Sequence, residues 1–137
     1  MAALLVNMNA VAFMIKHGSG IVSVGMLEED VERLRLPMMS LISDIEDLSS
    51  SASTVTVDAK TVTSTGVSAA DRANTILELS SPDSKPEDFK RPGHVFPLKY
   101  RNGGVLKRAG HTEASVDLVT LAGLRPVSIL STIVDPE

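Results

Sequence analysis

Apolar and polar residues alternate along the chain in two rhythms, one helical and one extended. Asn7 is placed to cap a helix running to His17, with Met8, Val11 and Ile15 on one stripe and Gly18 as its stop signal. A short β-branched run follows, Ile21 to Val24, and reads as a buried strand. Residues 27–34 form an acidic amphipathic helix closed by Pro37. Residues 40–53 are polar, end in the serine cluster Ser49, Ser50, Ser51, Ala52, Ser53, and read as a mobile loop. Thr and Val then alternate to Asp58, the period of a strand over 54–58. Ser68 caps a helix to Leu79, with Asp71 three residues on in a position like that of a capping box. Pro82, Pro86, Pro92 and Pro97 punctuate a long irregular stretch, and Val105 and Leu106 suggest a brief strand. Thr112 caps a last helix with Ala114, Leu118 and Leu121 turned inward and Gly123 ending it. Residues 127–134 make a final strand. Strands and helices in alternation predict an α/β or α+β layered sheet in one domain, residues 1–137, with no internal repeat.

Composition narrows the class. With 43% apolar and 22% charged residues the chain fits an ordinary globular protein. It has no Trp, one Tyr and three Phe, so the core must be aliphatic. It has no Cys, which excludes disulfides, thiolate catalysis and cysteine zinc sites. No apolar run approaches the ~20 residues of a membrane span, and neither a signal peptide nor a transit segment is visible. The net charge is −4, yet residues 89–112 hold Lys90, Arg91, Lys99, Arg101, Lys107 and Arg108 and no acid. A cationic, glycine-rich segment in an acidic protein suits a small anion better than a nucleic acid; a solvated basic loop would show the same composition.

Two glycine-flanked histidines bracket that segment, in Arg91-Pro92-Gly93-His94 and Arg108-Ala109-Gly110-His111-Thr112-Glu113. Glycine lets backbone N–H groups approach an anion, and Arg108 can pair with a phosphate through its planar fork. A helix beginning at Thr112 adds its N-terminal amides. His111 at this junction could hold a metal or move a proton, although a lone histidine without a partner at zinc spacing is commonly structural.

Three blocks stand in order: Ser64-Thr65-Gly66-Val67-Ser68-Ala69-Ala70-Asp71-Arg72, Arg91-Pro92-Gly93-His94-Val95-Phe96-Pro97-Leu98 and Gly110-His111-Thr112-Glu113-Ala114. Together with His17-Gly18-Ser19-Gly20 and Leu36-Pro37-Met38-Met39 they resemble the signature of the 3,4-dihydroxy-2-butanone 4-phosphate synthase family, in its plant-like wording, across essentially the whole chain. The resemblance implies that family's mixed sheet with helices. It also implies its reaction, in which D-ribulose 5-phosphate gives L-3,4-dihydroxybutan-2-one 4-phosphate and formate with Mg²⁺ or Mn²⁺. By the same resemblance His94 is the catalytic residue, Arg108, Ala109, Gly110, His111 and Thr112 bind substrate, and His111 ligates the metal. Active members are homodimers, and plant members work in plastids.

The chain departs from the family pattern in informative places. The family's acidic loop before the first helix is missing, and the chain stops before the last Asp-rich loop, so the fold is expected to be incomplete at both ends. Where the family has Cys-Glu, this chain has Ser131-Thr132, and a threonine cannot serve as a carboxylate base near neutral pH. The expectation is therefore a phosphate-binding remnant with impaired metal binding and no activity of its own. The alternative is a catalytically dead subunit that pairs with a complete homologue.

Overall fold

In the computed structural model, residues 1–39, 52–62 and 64–135 are described. The helices are α1 (Met8–His17), α2 (Glu28–Arg33), α3 (Ala69–Ser80) and α4 (His111–Leu121). The strands are β1 (Ser23–Met26), β2 (Ala52–Ser53), β3 (Val57–Ala59), β4 (Phe89–Lys99) and β5 (Val127–Leu130). β4 is the spine of a mixed sheet ordered β2-β4-β1-β5, and β3 pairs with the start of β4. β1 runs parallel to β4 with Ser23 opposite Phe96, whereas β5 is antiparallel to β1 with Ile129 opposite Val24. The layered α/β fold expected from the alternation is thus the one observed.

Residues of one parity along β1 face the core. Val22, Val24 and Met26 pack with Val127 and Ile129, and with Val11 of α1 and Ile76 and Leu79 of α3. Burying each such aliphatic side chain contributes about 1.5–3 kcal/mol. The opposite face carries α4. A Cβ on Gly25 would lie 2.8 Å from Ser128 Oγ and 3.0 Å from Val116 Cγ2, so the missing side chain lets α4 settle onto β1. Ser115 of α4 and Ser128 of β5 share a hydrogen bond at 2.7 Å across this contact.

The caps follow the sequence. Asn7 accepts from the Ala10 N–H at 2.9 Å, and Ser68 Oγ accepts from the Asp71 N–H at 3.1 Å. Several expectations fail for identifiable reasons. The proline-punctuated stretch contains the longest of the strands named above. Phe96 N–H donates to Val22 O, so alternation turns the nitrogen of Pro97 toward the other edge, where β2 stops at Ser53 and no ladder bond is lost. The strand expected over 54–58 splits: β2 precedes it, β3 begins at Val57, and Thr54 between them bonds Pro97 O. Val105 and Leu106 lie in a 3₁₀ turn rather than a strand. The last helix starts two residues earlier than expected, with Gly110 rather than Thr112 at its N-cap. It buries the stripe of Thr112, Val116 and Val119 instead of Ala114, Leu118 and Leu121. Both stripes have helical spacing, and close approach at Gly25 selected the β-branched one. Met8, placed on the inward stripe of α1, is exposed, and the final strand ends at Leu130. The loop expected over 40–53 lies outside the described residues apart from Ala52 and Ser53.

Candidate functional site: an anion-suited cleft and a carboxylate-held histidine

β3 and β4 pair out of step. Val57 faces Val95, but Asp58 faces Lys90, so Arg91, Pro92, Gly93 and His94 bulge from the ladder. A bulge of this kind exposes backbone donors and re-aims a side chain. Both donors are caught by side chains of the neighbouring segment: Gly93 N–H donates to Thr56 Oγ1 at 3.0 Å and His94 N–H to Asp58 Oδ1 at 2.9 Å. The other oxygen, Asp58 Oδ2, meets His94 Nδ1 at 2.7 Å. The close approach requires glycine at 93, because a Cβ there would collide with the backbone of Val57 and Asp58. Asp58 is buried, while the His94 side chain keeps 40% exposure.

An open cleft of about 1020 Å³ lies on the α4 side of the sheet. Its floor is Ser23 of β1 and Phe96 and Leu98 of β4. One wall is the run Arg108, Ala109, Gly110, His111 and Thr112, and the opposite wall is Leu130, Ser131 and Thr132. All five residues expected to bind substrate, together with Thr132, are thus gathered around one cavity. His94 is not among the lining residues; it sits two positions before Phe96 on the same strand. No Asp or Glu lines the cleft among the described residues, and its basic groups are Arg108 and His111.

The basic wall is braced from behind. Glu113, only 1% exposed, accepts from Arg108 Nη1 at 2.7 Å and from the Arg101 N–H at 3.2 Å. One turn on, Asp117 accepts from Tyr100 Oη at 2.8 Å and from the Val105 N–H at 2.9 Å. Burial first, then the hydrogen bond and charge of Asp117, push the Tyr100 phenol up to about 12. At the start of this loop Lys99 donates to Glu28 Oε1 at 2.6 Å. That hydrogen bond, aided by the lysine charge, holds the Glu28 carboxyl below the usual carboxylate range. The loop from Lys99 to Gly110 is therefore tied to α2 and α4 at several points.

The other wall is fixed through its backbone. Ser19 N–H donates to Thr132 O at 2.9 Å, and Ser131 Oγ donates to Ile21 O at 2.9 Å. Thr132 is among the residues lining the cleft. The family resemblance names the residues Arg108 to Thr112, Thr132 and His94, but not the acids that hold their surroundings: Glu113 and Asp117 behind the basic wall and Asp58 at His94. The available signal was weak: an acid closing an otherwise β-branched strand, and two acids four residues apart on one helix.

A mixed α/β protein with an open cleft over its sheet, lined by Arg108, Gly110 and His111, is the class these features define. The chain belongs to the 3,4-dihydroxy-2-butanone 4-phosphate synthase family, whose pattern matches residues 1–137. It is 72% identical over 136 residues to the probable monofunctional riboflavin biosynthesis protein RIBA 3, chloroplastic, of Oryza sativa subsp. japonica, covering 99% of this chain and 25% of that protein. It is 66% identical over 137 residues to the monofunctional riboflavin biosynthesis protein RIBA 3, chloroplastic, of Arabidopsis thaliana, covering 100% of this chain and 27% of that one. Among solved structures, a 3,4-dihydroxy-2-butanone 4-phosphate synthase in complex with two magnesium ions superimposes with a TM-score of 0.91 at 46% identity. That match covers 98% of this chain and 62% of the other. The chain thus spans about a quarter of the length of these curated relatives.

The magnesium of that relative can be tested against the donors here. Mg²⁺ favours carboxylate and phosphate oxygens in near-octahedral geometry. His111 offers an imidazole nitrogen, the cleft lining offers no carboxylate, and no group of three or more His, Cys, Asp or Glu gathers among the described residues. These residues do not by themselves make a magnesium site.

Proposed function

We propose that this chain keeps the phosphate-binding residues of a 3,4-dihydroxy-2-butanone 4-phosphate synthase site and its histidine at position 94, but lacks a carboxylate at position 132 to share the proton transfers. Arg108, Ala109, Gly110, His111 and Thr112 bind the phosphate end of ribulose 5-phosphate, with Arg108 and the first amides of α4 as donors. His94 is the residue that would carry a proton, and His111 the one protein ligand for Mg²⁺ or Mn²⁺, whose binding without substrate is weak. The observation that carries this reading is the cleft lining, which brings Arg108 and His111 together with Thr132; the resemblance to the family implies a glutamate at position 132. Making an enediol from a ketose phosphate and expelling a one-carbon fragment requires groups that take and return protons. Thr132 cannot do this near neutral pH. Riboflavin biosynthesis in a plastid is the setting that the relatives' names support.

Calorimetry with ribulose 5-phosphate and with inorganic phosphate tests the binding half. Binding is expected to be weak, and Arg108→Ala should lower it about tenfold, the worth of one charge-assisted hydrogen bond. Equal affinity of the two proteins would refute the assignment of Arg108.

A second reading, a non-catalytic subunit that pairs with a second family domain, draws on one observation. Leu118, which lines the cleft, and Leu121, three residues on along α4, are 67% and 84% exposed. Large apolar side chains clustered in this way mark association surfaces. Light scattering should then show a dimer or larger species, alone or mixed with a complete homologue.

A further inference from the structure

We propose that Asp58 is the positioning residue of His94, fixing the imidazole as its Nδ1–H tautomer with Nε2 presented outward as a proton acceptor. The inference rests on the bulge geometry. Its meaning for proton transfer rests on the reading of His94 given above, but the tautomer itself does not.

The two oxygens of Asp58 do different work. Oδ1 accepts the His94 backbone N–H and Oδ2 faces the ring nitrogen Nδ1. An ionised carboxylate has only acceptors, so a ring nitrogen 2.7 Å from it must carry the proton. In a neutral imidazole that leaves Nε2 with the lone pair. The backbone contact anchors the carboxylate to the same residue whose ring it holds, so Asp58 sets ring orientation and tautomer together. The surroundings keep the carboxylate in place. Thr56 holds the preceding Gly93 N–H, and a Cβ on Gly66 would collide with the carboxylate, so the 64–66 turn lies directly against Asp58. A salt bridge formed only for stability would need no second oxygen on the histidine backbone and no bulge to aim the ring. Here the ladder forgoes pairing over Arg91 to His94 to obtain this arrangement.

Asp58→Asn makes the claim sharp. An asparagine has one acceptor oxygen. If that oxygen stays on the His94 N–H, the amide NH₂ meets Nδ1 and donates to it, which forces the ring into the Nε2–H form. Asp58→Glu retains two acceptor oxygens and should retain the wild-type tautomer.

The experiment is long-range ¹H–¹⁵N correlation spectroscopy of the histidine rings in the 137-residue chain, at about pH 9, well above the ordinary imidazole range. The protein has three histidines, so His94→Gln assigns the signal. Wild type should show His94 mainly as Nδ1–H. Asp58→Asn should show it mainly as Nε2–H with His17 and His111 unchanged, and Asp58→Glu should restore the wild-type pattern. A wild-type His94 with its proton on Nε2 would overturn the proposal without any variant, even if Asp58→Asn does not fold. A folded Asp58→Asn with an unchanged tautomer would overturn it too. Phosphate titration of Asp58→Asn keeps the two readings apart. It should match wild type, and failure of Arg108-dependent binding would sink the proposed function while leaving the tautomer result standing.

Discussion

Removing the carboxylate of Glu113 should be among the most damaging single changes in this protein, and it should act through Arg108. Glu113 is almost fully buried, and it holds both the guanidinium of Arg108, itself 12% exposed, and the N–H of Arg101. Glu113→Ala leaves a cation in a poorly solvated place and orphans a backbone donor. Breaking a buried pair from one side typically costs about 3–5 kcal/mol, a large share of the ~5–15 kcal/mol that holds a small protein folded. Arg108→Ala leaves the opposite charge stranded and should also destabilise. The double variant should lose less than the sum of the two, because the Arg108–Glu113 interaction is removed only once. Urea unfolding of wild type, both single variants and the double variant gives the coupling directly. A positive coupling of about 2 kcal/mol or more is expected. A Glu113→Ala loss below ~1 kcal/mol, or additive single effects, would refute the claim that Glu113 braces the basic wall.

Two further predictions follow from the same wall. Tyr100 has its phenol raised to about 12 in the folded chain, against about 10 for an unperturbed tyrosine. Between those values the unfolded chain loses the proton first, so the stabilisation is present below pH ~10 and is lost as pH rises toward ~12. Urea midpoints measured across that window should fall in wild type and fall less steeply in Tyr100→Phe; parallel curves would contradict it. Gly25→Ala places a methyl 2.8 Å from Ser128 Oγ and should loosen α4 at a cost of about 1–3 kcal/mol. It should also weaken phosphate binding, whereas a variant as stable as wild type would show that α4 is not seated on β1 through that position.

The helices are readable in the sequence because local signals set them, and the residues along the cleft are named by the family resemblance. Asn7 and Ser68 are side-chain caps, and the glycines of Gly93-His94 and Gly110-His111 mark where backbone must approach closely. What the sequence conceals is decided at long range. Pro92 and Pro97 argue locally against a strand, yet β4 tolerates them. Pro92 falls in the bulge and the nitrogen of Pro97 faces an edge where β2 has ended. α4 carries two apolar stripes of equal helical merit, and only contact with Gly25 chooses between them. Asp58 lies 36 residues before His94, and Glu113 is 12 residues after the Arg101 amide that it accepts from. No periodicity announces such pairs.

The central claim is that the cleft holds a sugar phosphate and lacks the group needed to break it down. Formate release from ribulose 5-phosphate with Mg²⁺ present, followed by NMR on the purified 137-residue chain, tests that claim most directly. Losing one general acid–base group lowers a rate by about 10²–10⁴-fold. No formate above a protein-free control is therefore expected from wild type, and none from the chain carrying His111→Ala. Metal-dependent formate production by wild type, abolished by His111→Ala, would show that Thr132 is no obstacle and that the chain is an active synthase.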